Sequence, residues 1–116
     1  MIAVNADPDV LEKLRIVGGP KLVRELVELF LKYAPERLTA ARESIEAGEV
    51  SGAQRALHSL KSSAGQLGMS GIQETCSRGE ASAARGDAVG AGAALAQIEA
   101  GWPETKAWLT EQMRLV

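Results

Sequence analysis

His58-Ser59-Leu60-Lys61-Ser62-Ser63-Ala64-Gly65-Gln66-Leu67-Gly68 is the stretch that decides the fold. It contains the only histidine of the 116-residue chain, and a glycine ends it. Residues three, four and seven apart share one face of an α-helix, so Lys61, Ser62 and Gly65 lie beside His58. The stretch therefore predicts a helix that ends at Gly68 and carries an exposed imidazole among small side chains.

Turn signals before this stretch predict two earlier helices. Asp7-Pro8 is typical of an N-cap followed by proline in the first helical turn. This short helix is expected to run to about Val17 and to stop at Gly18-Gly19, after which a longer one runs from Pro20 to Gly48. Pro35 is expected to kink or break the longer helix, because proline removes a backbone donor and clashes with the preceding turn.

The second half of the chain predicts three helices. Ser51-x-x-Gln54 and Ser70-x-x-Gln73 both fit a capping box, which places helices at about 51–67 and 70–85. The tight turn at Gly68 makes these two helices antiparallel neighbours. A last helix runs from about Asp87 to Met113, where a kink at Pro103 is an open alternative. We therefore expect an all-α fold, an antiparallel up-down four-helix bundle with an additional short N-terminal helix, as a single domain over residues 1–116.

Composition excludes several classes of protein. The net charge of −2 and the pI of about 5.4 argue against nucleic-acid binding, which normally needs a basic surface. No apolar run approaches the roughly 20 residues of a membrane span, and no secretory signal begins the chain. The single cysteine, Cys76, excludes an internal disulfide and fits a reducing compartment. We expect a cytoplasmic monomer that contacts neither membranes nor nucleic acid.

The predicted helix around His58 carries two separate faces. At about 100° per residue, one arc is apolar and forms the core stripe, namely Ala53, Ala56, Leu57, Leu60, Ala64 and Leu67. A second arc carries His58, Lys61, Ser62 and Gly65, and one turn earlier on the same side lie Gln54 and Arg55.

A lone histidine on a helix is usually only a surface residue. Ser62, Ser63, Gly65 and Gly68, however, lower helix propensity in one stretch. Small residues around an exposed imidazole favour a site onto which another protein brings its own active site.

The residue types suit phosphoryl transfer. Neutral imidazole is a nucleophile near pH 7, and a nearby lysine offsets the charge of phosphoryl oxygens. The ring also needs its second nitrogen oriented by a hydrogen bond, for which Glu80, at the edge of the next helix, is a candidate. A surface carboxylate without such a role is an equally open reading of Glu80.

Other chemistries lack support in the sequence. One histidine and one cysteine on different helices cannot form a usual zinc site, so we expect no metal and no cofactor. A Ser-His-Asp hydrolase would need a nucleophile elbow, which is absent. GxxxxGK[ST] is absent too, so ATP binding has no support. Cys76 is expected to be a small core residue, and Trp102 and Trp108 are expected to pack in the last helix.

The stretch from His58 to Gly68 resembles the motif of histidine-containing phosphotransfer (HPt) domains, the relay modules of two-component phosphorelays. The resemblance extends through the following helix, which includes Cys76 and ends at Arg85-Gly86-Asp87, and more weakly over the layout of nearly the whole chain. It implies that His58 is phosphorylated and that Lys61 assists electrostatically. It also implies that Gln66 and the small residues Ser62 and Gly65 shape a docking surface.

The resemblance also bears on individual positions. Glu80 matches a position where some phosphotransfer domains, notably those of chemotaxis kinases, place a carboxylate against the histidine. One departure is Ser62, since the position after the lysine is most often glycine in the family. Serine is still small, so we expect docking to survive with an altered partner preference. Gly79 is unusual as well, because a larger core residue would be usual inside a helix.

The leading interpretation is a phosphocarrier, not an enzyme, that relays a phosphoryl group between receiver-domain aspartates through His58. The implied partners are response-regulator receiver domains and a sensor or hybrid histidine kinase. Two alternatives remain open from the sequence. One is the phosphotransfer segment of a larger hybrid or chemotaxis-type histidine kinase, and the other is a helical interaction module without phosphotransfer.

Overall fold

Four α-helices form an antiparallel bundle in the computed structural model, which describes residues 5–116. The helices are α1 (Pro8–Glu46), α2 (Val50–Gln66), α3 (Ser70–Ala84) and α4 (Ala88–Leu115). Short connections make consecutive helices antiparallel neighbours, and α1 closes the bundle by packing against both α2 and α4. Within the described residues, β pairing is limited to a single bridge between Ala6 and Met69. The predicted fold class is confirmed.

The predicted short N-terminal helix is the first part of α1. The Asp7 side chain accepts a hydrogen bond from the backbone N–H of Asp9 at 3.0 Å, and Pro8 occupies the first turn, as the sequence predicts. At Gly19 the backbone leaves the helical region, with φ 74° and ψ −178°. This conformation suits a glycine followed by Pro20, because the proline ring disfavours helical geometry in the residue before it. The chain then begins a second helical segment that reaches Glu46.

Helix α1 does not break at Pro35, where the sequence predicted a kink or a break. Gly19 is the one described residue of α1 with non-helical backbone angles, so the helix continues through Pro35. Proline removes one hydrogen bond of the helical ladder. Ala34 and Leu38 on either side of it are buried in the core, and their packing holds both flanking turns in place. Pro103 likewise lies inside the continuous α4.

Neither predicted capping box forms. The N-cap of α2 is Glu49 and that of α3 is Met69, and neither side chain makes a capping hydrogen bond. Ser51 lies inside the first turn of α2, because that helix already begins at Val50. Ser70 instead donates its hydroxyl to the backbone carbonyl of Asn5 at 2.5 Å. A tertiary contact with the start of the chain therefore replaces the local cap.

The turn between α2 and α3 anchors the start of the chain. Gly68 has φ 74°, the left-handed conformation predicted from its position after the helix. Its carbonyl accepts a hydrogen bond from the backbone N–H of Asp7 at 2.8 Å. A Cβ at Gly68 would come within 2.9 Å of the Asp7 carbonyl oxygen, so a side chain there would obstruct this contact.

One apolar core runs between the four helices. Its largest fully buried side chains are Leu57, Leu67, Met69, Ile72, Leu95, Leu109, Val23 and Val27. Trp102 and Trp108 pack against this core, and the Trp102 ring lies 6.1 Å from that of Phe30, as packing residues should. Among residues 5–116, every helix is too short or too polar to cross a bilayer.

Candidate functional site

Helix α2 presents the two faces that its sequence predicts. The apolar stripe is buried at Ala53, Leu57, Leu60, Ala64 and Leu67, whereas Ala56 is only half-buried. On the other face, the side chain of His58 is 61% exposed. The core stripe thus fixes α2 against its neighbours while the imidazole remains accessible to another molecule.

Helix α3 brings Glu80 to this face. Its predicted core arc is buried throughout, at Ile72, Thr75, Cys76, Gly79 and Ala83. Glu80 comes directly after Gly79 in the chain, at the edge of this buried face, and its side chain is 19% exposed. The carboxylate therefore lies at the seam between α2 and α3.

The three predicted chemical residues meet in one cluster. His58 Nδ1 lies 2.8 Å from Glu80 Oε1, and Lys61 Nζ lies 2.7 Å from Glu80 Oε2. The second contact is an ion pair rather than an aligned hydrogen bond, since Oε2 is buried and no donor in the described residues has hydrogen-bond geometry toward it. One carboxylate thus bridges the imidazole and the ammonium group.

Opposing effects act on the pKa of Glu80. Burial is the largest and raises the pKa, but the contacts with Lys61 and His58 together outweigh it, so the pKa lies below its usual value. Glu80 is therefore a carboxylate at neutral pH and can only accept a hydrogen bond. When His58 is neutral, the proton consequently lies on Nδ1 and the lone pair on Nε2. No hydrogen bond to Nε2 forms within the described residues.

The predicted docking residues form the outer surface of α2 around this cluster. Arg55, Ser62 and Gln66 are exposed, and Gln54 is half-buried. Gly65 is half-buried as well, because Gln73 of α3 reaches over it. Their side chains leave His58 uncovered, but no described contact assigns them a partner.

Three residues of α1 lie beside this surface and were not predicted from the sequence as candidates. Leu29 and Tyr33 belong to the apolar pattern of the helix but are 49% and 39% exposed. Arg37 Nε donates to Ser59 Oγ at 2.5 Å, next to His58 in the chain. The i, i+4 spacing of these three residues was visible in the sequence. Their position beside α2 was not, because it depends on how the two helices pack.

The described residues offer no site for a metal ion, since they bring together no group of three histidine, cysteine or acidic side chains. Cys76 is fully buried, and burial raises the pKa of its thiol to about 12. It is a core residue, as the sequence predicts.

Comparison with known proteins identifies the family. A family model described as the Hpt domain matches residues 25–108, a range that contains His58, Lys61 and Glu80. The chain belongs to the Hpt domain family. Hpt domains act in histidine phosphotransfer as phosphocarriers, and they interact with kinases and response regulators of two-component systems.

A solved Hpt structure has the same fold. The chain is similar to the crystal structure of histidine-containing phosphotransfer protein B (HptB) from Pseudomonas aeruginosa PAO1, with a TM-score of 0.89 and 23% sequence identity. The match covers 97% of this chain and 96% of the other. A comparison with curated proteins gave no match.

Proposed function

We propose that this Hpt domain carries a phosphoryl group on Nε2 of His58, accepting it from a receiver-domain aspartate and passing it to another. The observation that supports this most directly is the 2.8 Å contact between His58 Nδ1 and Glu80 Oε1. An ionised Glu80 holds the proton on Nδ1, which leaves the exposed Nε2 with the lone pair that a nucleophile needs.

Transfer then requires no proton to leave the attacking atom. Nε2 forms a bond to phosphorus, the bond between phosphorus and the aspartyl oxygen breaks, and the electron pair returns to the aspartate as a carboxylate. The imidazole gains a positive charge in this step and keeps its Nδ1 proton. The Glu80 carboxylate at 2.8 Å offsets that charge, which makes it a positioning and electrostatic group.

Lys61 is proposed to assist from the opposite side of the same carboxylate. Its ammonium lies 2.7 Å from Glu80 Oε2 and is 28% exposed at the side chain, one helical turn after His58. A cation held there opposes the negative charge of incoming phosphoryl oxygens. The contact also keeps Glu80 ionised, so Lys61 acts on the ring through Glu80 as well.

The test is phosphotransfer from a radiolabelled, phosphorylated receiver domain. We expect label on the wild-type chain that is acid-labile and base-stable, as a phosphorus–nitrogen bond is, and that leaves again when an unphosphorylated receiver is added. His58→Gln should take up no label while its helical circular dichroism stays unchanged, because the side chain lies off the core. Retained uptake in His58→Gln, or no uptake by the wild type from any receiver of the source organism, would overturn the proposal.

A second experiment tests whether the chain phosphorylates itself from ATP. Incubation of the purified chain with labelled ATP alone should give no phosphohistidine, and addition of a cognate kinase should be needed. Label incorporated from ATP by the chain itself would move the protein into the class of enzymes. The proposed unit for both experiments is a single domain over residues 1–116.

A further inference from the structure

An open groove lies between α1 and α2 on one side of His58. Its volume is about 190 Å³, and its walls include Leu29, Tyr33 and Arg37 of α1 and Leu60, Ser63 and Gln66 of α2. A cavity of about 150 Å³ lined by apolar side chains can hold a benzene molecule. The groove therefore has room for one large apolar side chain of another molecule.

The rim of the groove is positively charged. Arg37 and Lys32 both lie near the ring of Tyr33, with Arg37 Cζ at 5.5 Å and Lys32 Nζ at 5.3 Å from its centroid. Arg37 is held in place by neutral groups, Ser59 Oγ at 2.5 Å and the Tyr33 carbonyl at 3.5 Å.

Neither rim cation is neutralised within the described residues. No carboxylate there lies within 4.0 Å of Arg37 or Lys32, although Glu36 is adjacent in sequence. Other arginines of the chain do pair with glutamates, namely Arg15, Arg42, Arg78 and Arg114. The guanidinium beside the groove is thus available to an external carboxylate, and its planar fork suits bidentate contact with one.

The two sides of the His58 surface differ in chemistry. On the α3 side, Gln73 lies against Gly65 of α2 and is exposed and polar, and Ser77, one helical turn later, is exposed and polar as well. On the α1 side, Leu29 and Tyr33 are exposed and apolar. An interface buries roughly 600–800 Å² on each partner, so a protein docked on His58 also covers neighbouring helices. Apolar contact area is available mainly toward α1.

We propose that this groove is the anchoring site for the phosphoryl-exchanging partner, taking one large apolar side chain between Leu29 and Tyr33 and a carboxylate of the same partner on Arg37. The proposal rests on the proposed function, since it assumes that a receiver domain docks over His58. Leu29, Tyr33 and Arg37 then set partner affinity and specificity without touching the reacting atoms. An aromatic residue and an arginine are the side chains that most often dominate the binding energy of an interface.

The experiment measures single-turnover transfer from a phosphorylated receiver domain as a function of receiver concentration. The variants are Arg37→Gln, Arg37→Glu and Leu29→Ser, with Arg78→Gln and Val89→Ser as matched controls. Arg78 lies on the α3–α4 side of the bundle and Val89 is 84% exposed at the start of α4. Labelling by phosphoramidate, a small donor that needs no docking, reports the reactivity of His58 separately, and thermal unfolding reports the fold.

The expected result is a fivefold or larger rise in the receiver concentration at half-maximal rate for Arg37→Gln and Leu29→Ser, and a larger rise for Arg37→Glu. The maximal rate should change little. Added salt should weaken transfer to the wild type more than to Arg37→Gln, because a rim charge acts through association. The two controls should match the wild type.

Half-maximal concentrations within twofold of the wild type in both Arg37 variants and in Leu29→Ser would overturn the proposal. So would a fall in the maximal rate alone, or a parallel fall in phosphoramidate labelling, since either would place these residues in the chemistry of His58. Failure of the proposed function gives a different pattern, in which the wild type is labelled by phosphoramidate but by no receiver.

Discussion

Gly79 of α3 lies directly against Leu57 of α2. A Cβ at Gly79 would come within 2.9 Å of Leu57 Cδ1 and within 2.9 Å of Ala94 Cβ on α4. Leu57 and Gly79 immediately precede His58 and Glu80, so the close approach of the two backbones sets the distance between the two functional side chains. The glycine that looks out of place in the sequence is the residue that lets the imidazole and the carboxylate meet.

Gly79→Ala should therefore destabilise the domain and loosen the site. Alanine gains about 1 kcal/mol of helix propensity over glycine. Overpacking a core typically costs about 1–3 kcal/mol, and Ala94 Cβ cannot move without its backbone. Urea unfolding should give a lower free energy of unfolding than the wild type. Gly92→Ala is the control, since a Cβ there meets only the Arg42 guanidinium, at 4.0 Å. Equal stability of Gly79→Ala and the wild type would contradict the close-packing argument.

Glu80 should make the stability of the domain depend on pH in the acid range. Because its folded-state pKa is lowered, its contribution is present above the ordinary glutamate pKa of about 4.3 and is lost as pH falls through the folded value. The stability difference between the wild type and Glu80→Gln should therefore shrink as pH is lowered from 7 to 3. Urea unfolding at several pH values measures this. Glu28→Gln is the control, since Glu28 is an exposed residue of α1 outside the ion pairs. If the stability difference between the wild type and Glu80→Gln grew toward pH 3, the predicted direction of the pH dependence would be wrong.

Lys61→Ala should slow transfer without weakening receiver binding. Loss of one electrostatic donor at an enclosed catalytic site costs about 10²–10³ in rate, and the partly exposed Lys61 should cost less. Rates at saturating phosphorylated receiver give the effect, and Lys106→Ala on the exposed face of α4 is the matched control. If the saturating rate equals that of the wild type, Lys61 has no role in the chemical step.

Gly65→Gln should separate stability from function. Its Cβ would come within 2.6 Å of Gln73 Nε2, the far end of a flexible, exposed side chain that can move aside. Stability should hold or rise by up to about 1 kcal/mol through helix propensity. The added side chain should obstruct a docking receiver and raise the concentration needed for half-maximal transfer. Gly92→Gln, where the Arg42 guanidinium lies no closer than 4.0 Å to the added Cβ, should share any gain in stability and keep transfer. Full activity of Gly65→Gln would argue against a docking surface at this position.

Local chemistry explains which parts of the fold the sequence predicted. The cap at Asp7, the left-handed turn at Gly68 and the burial of the α2 stripe all depend on a residue and its near neighbours in the chain. The exposed position of His58 follows from the same helical period. Such features need no knowledge of how the helices pack.

Features that depend on packing were not predicted. Pro35 stays helical because buried neighbours hold the turns around it, and Ser70 bonds Asn5 instead of capping α3. Arg37 is positioned by Ser59 of another helix, which no local pattern reveals. The sequence suggested that Glu80 faces His58, whereas its simultaneous contact with Lys61 emerged only from the structure.

The turn at Gly68 also bears on how the site assembles. His58 and Glu80 are 22 residues apart and belong to one helical hairpin closed by that turn. The entropy lost on closing a loop grows with the length of the loop, and helical proteins rich in short-range contacts fold faster than proteins of the same stability dominated by long-range contacts. The two side chains are therefore brought together by one short turn and by the packing of α2 against α3. The first segment of α1 is joined to the same turn through the backbone N–H of Asp7, which ties the beginning of this helix to the hairpin that carries the site.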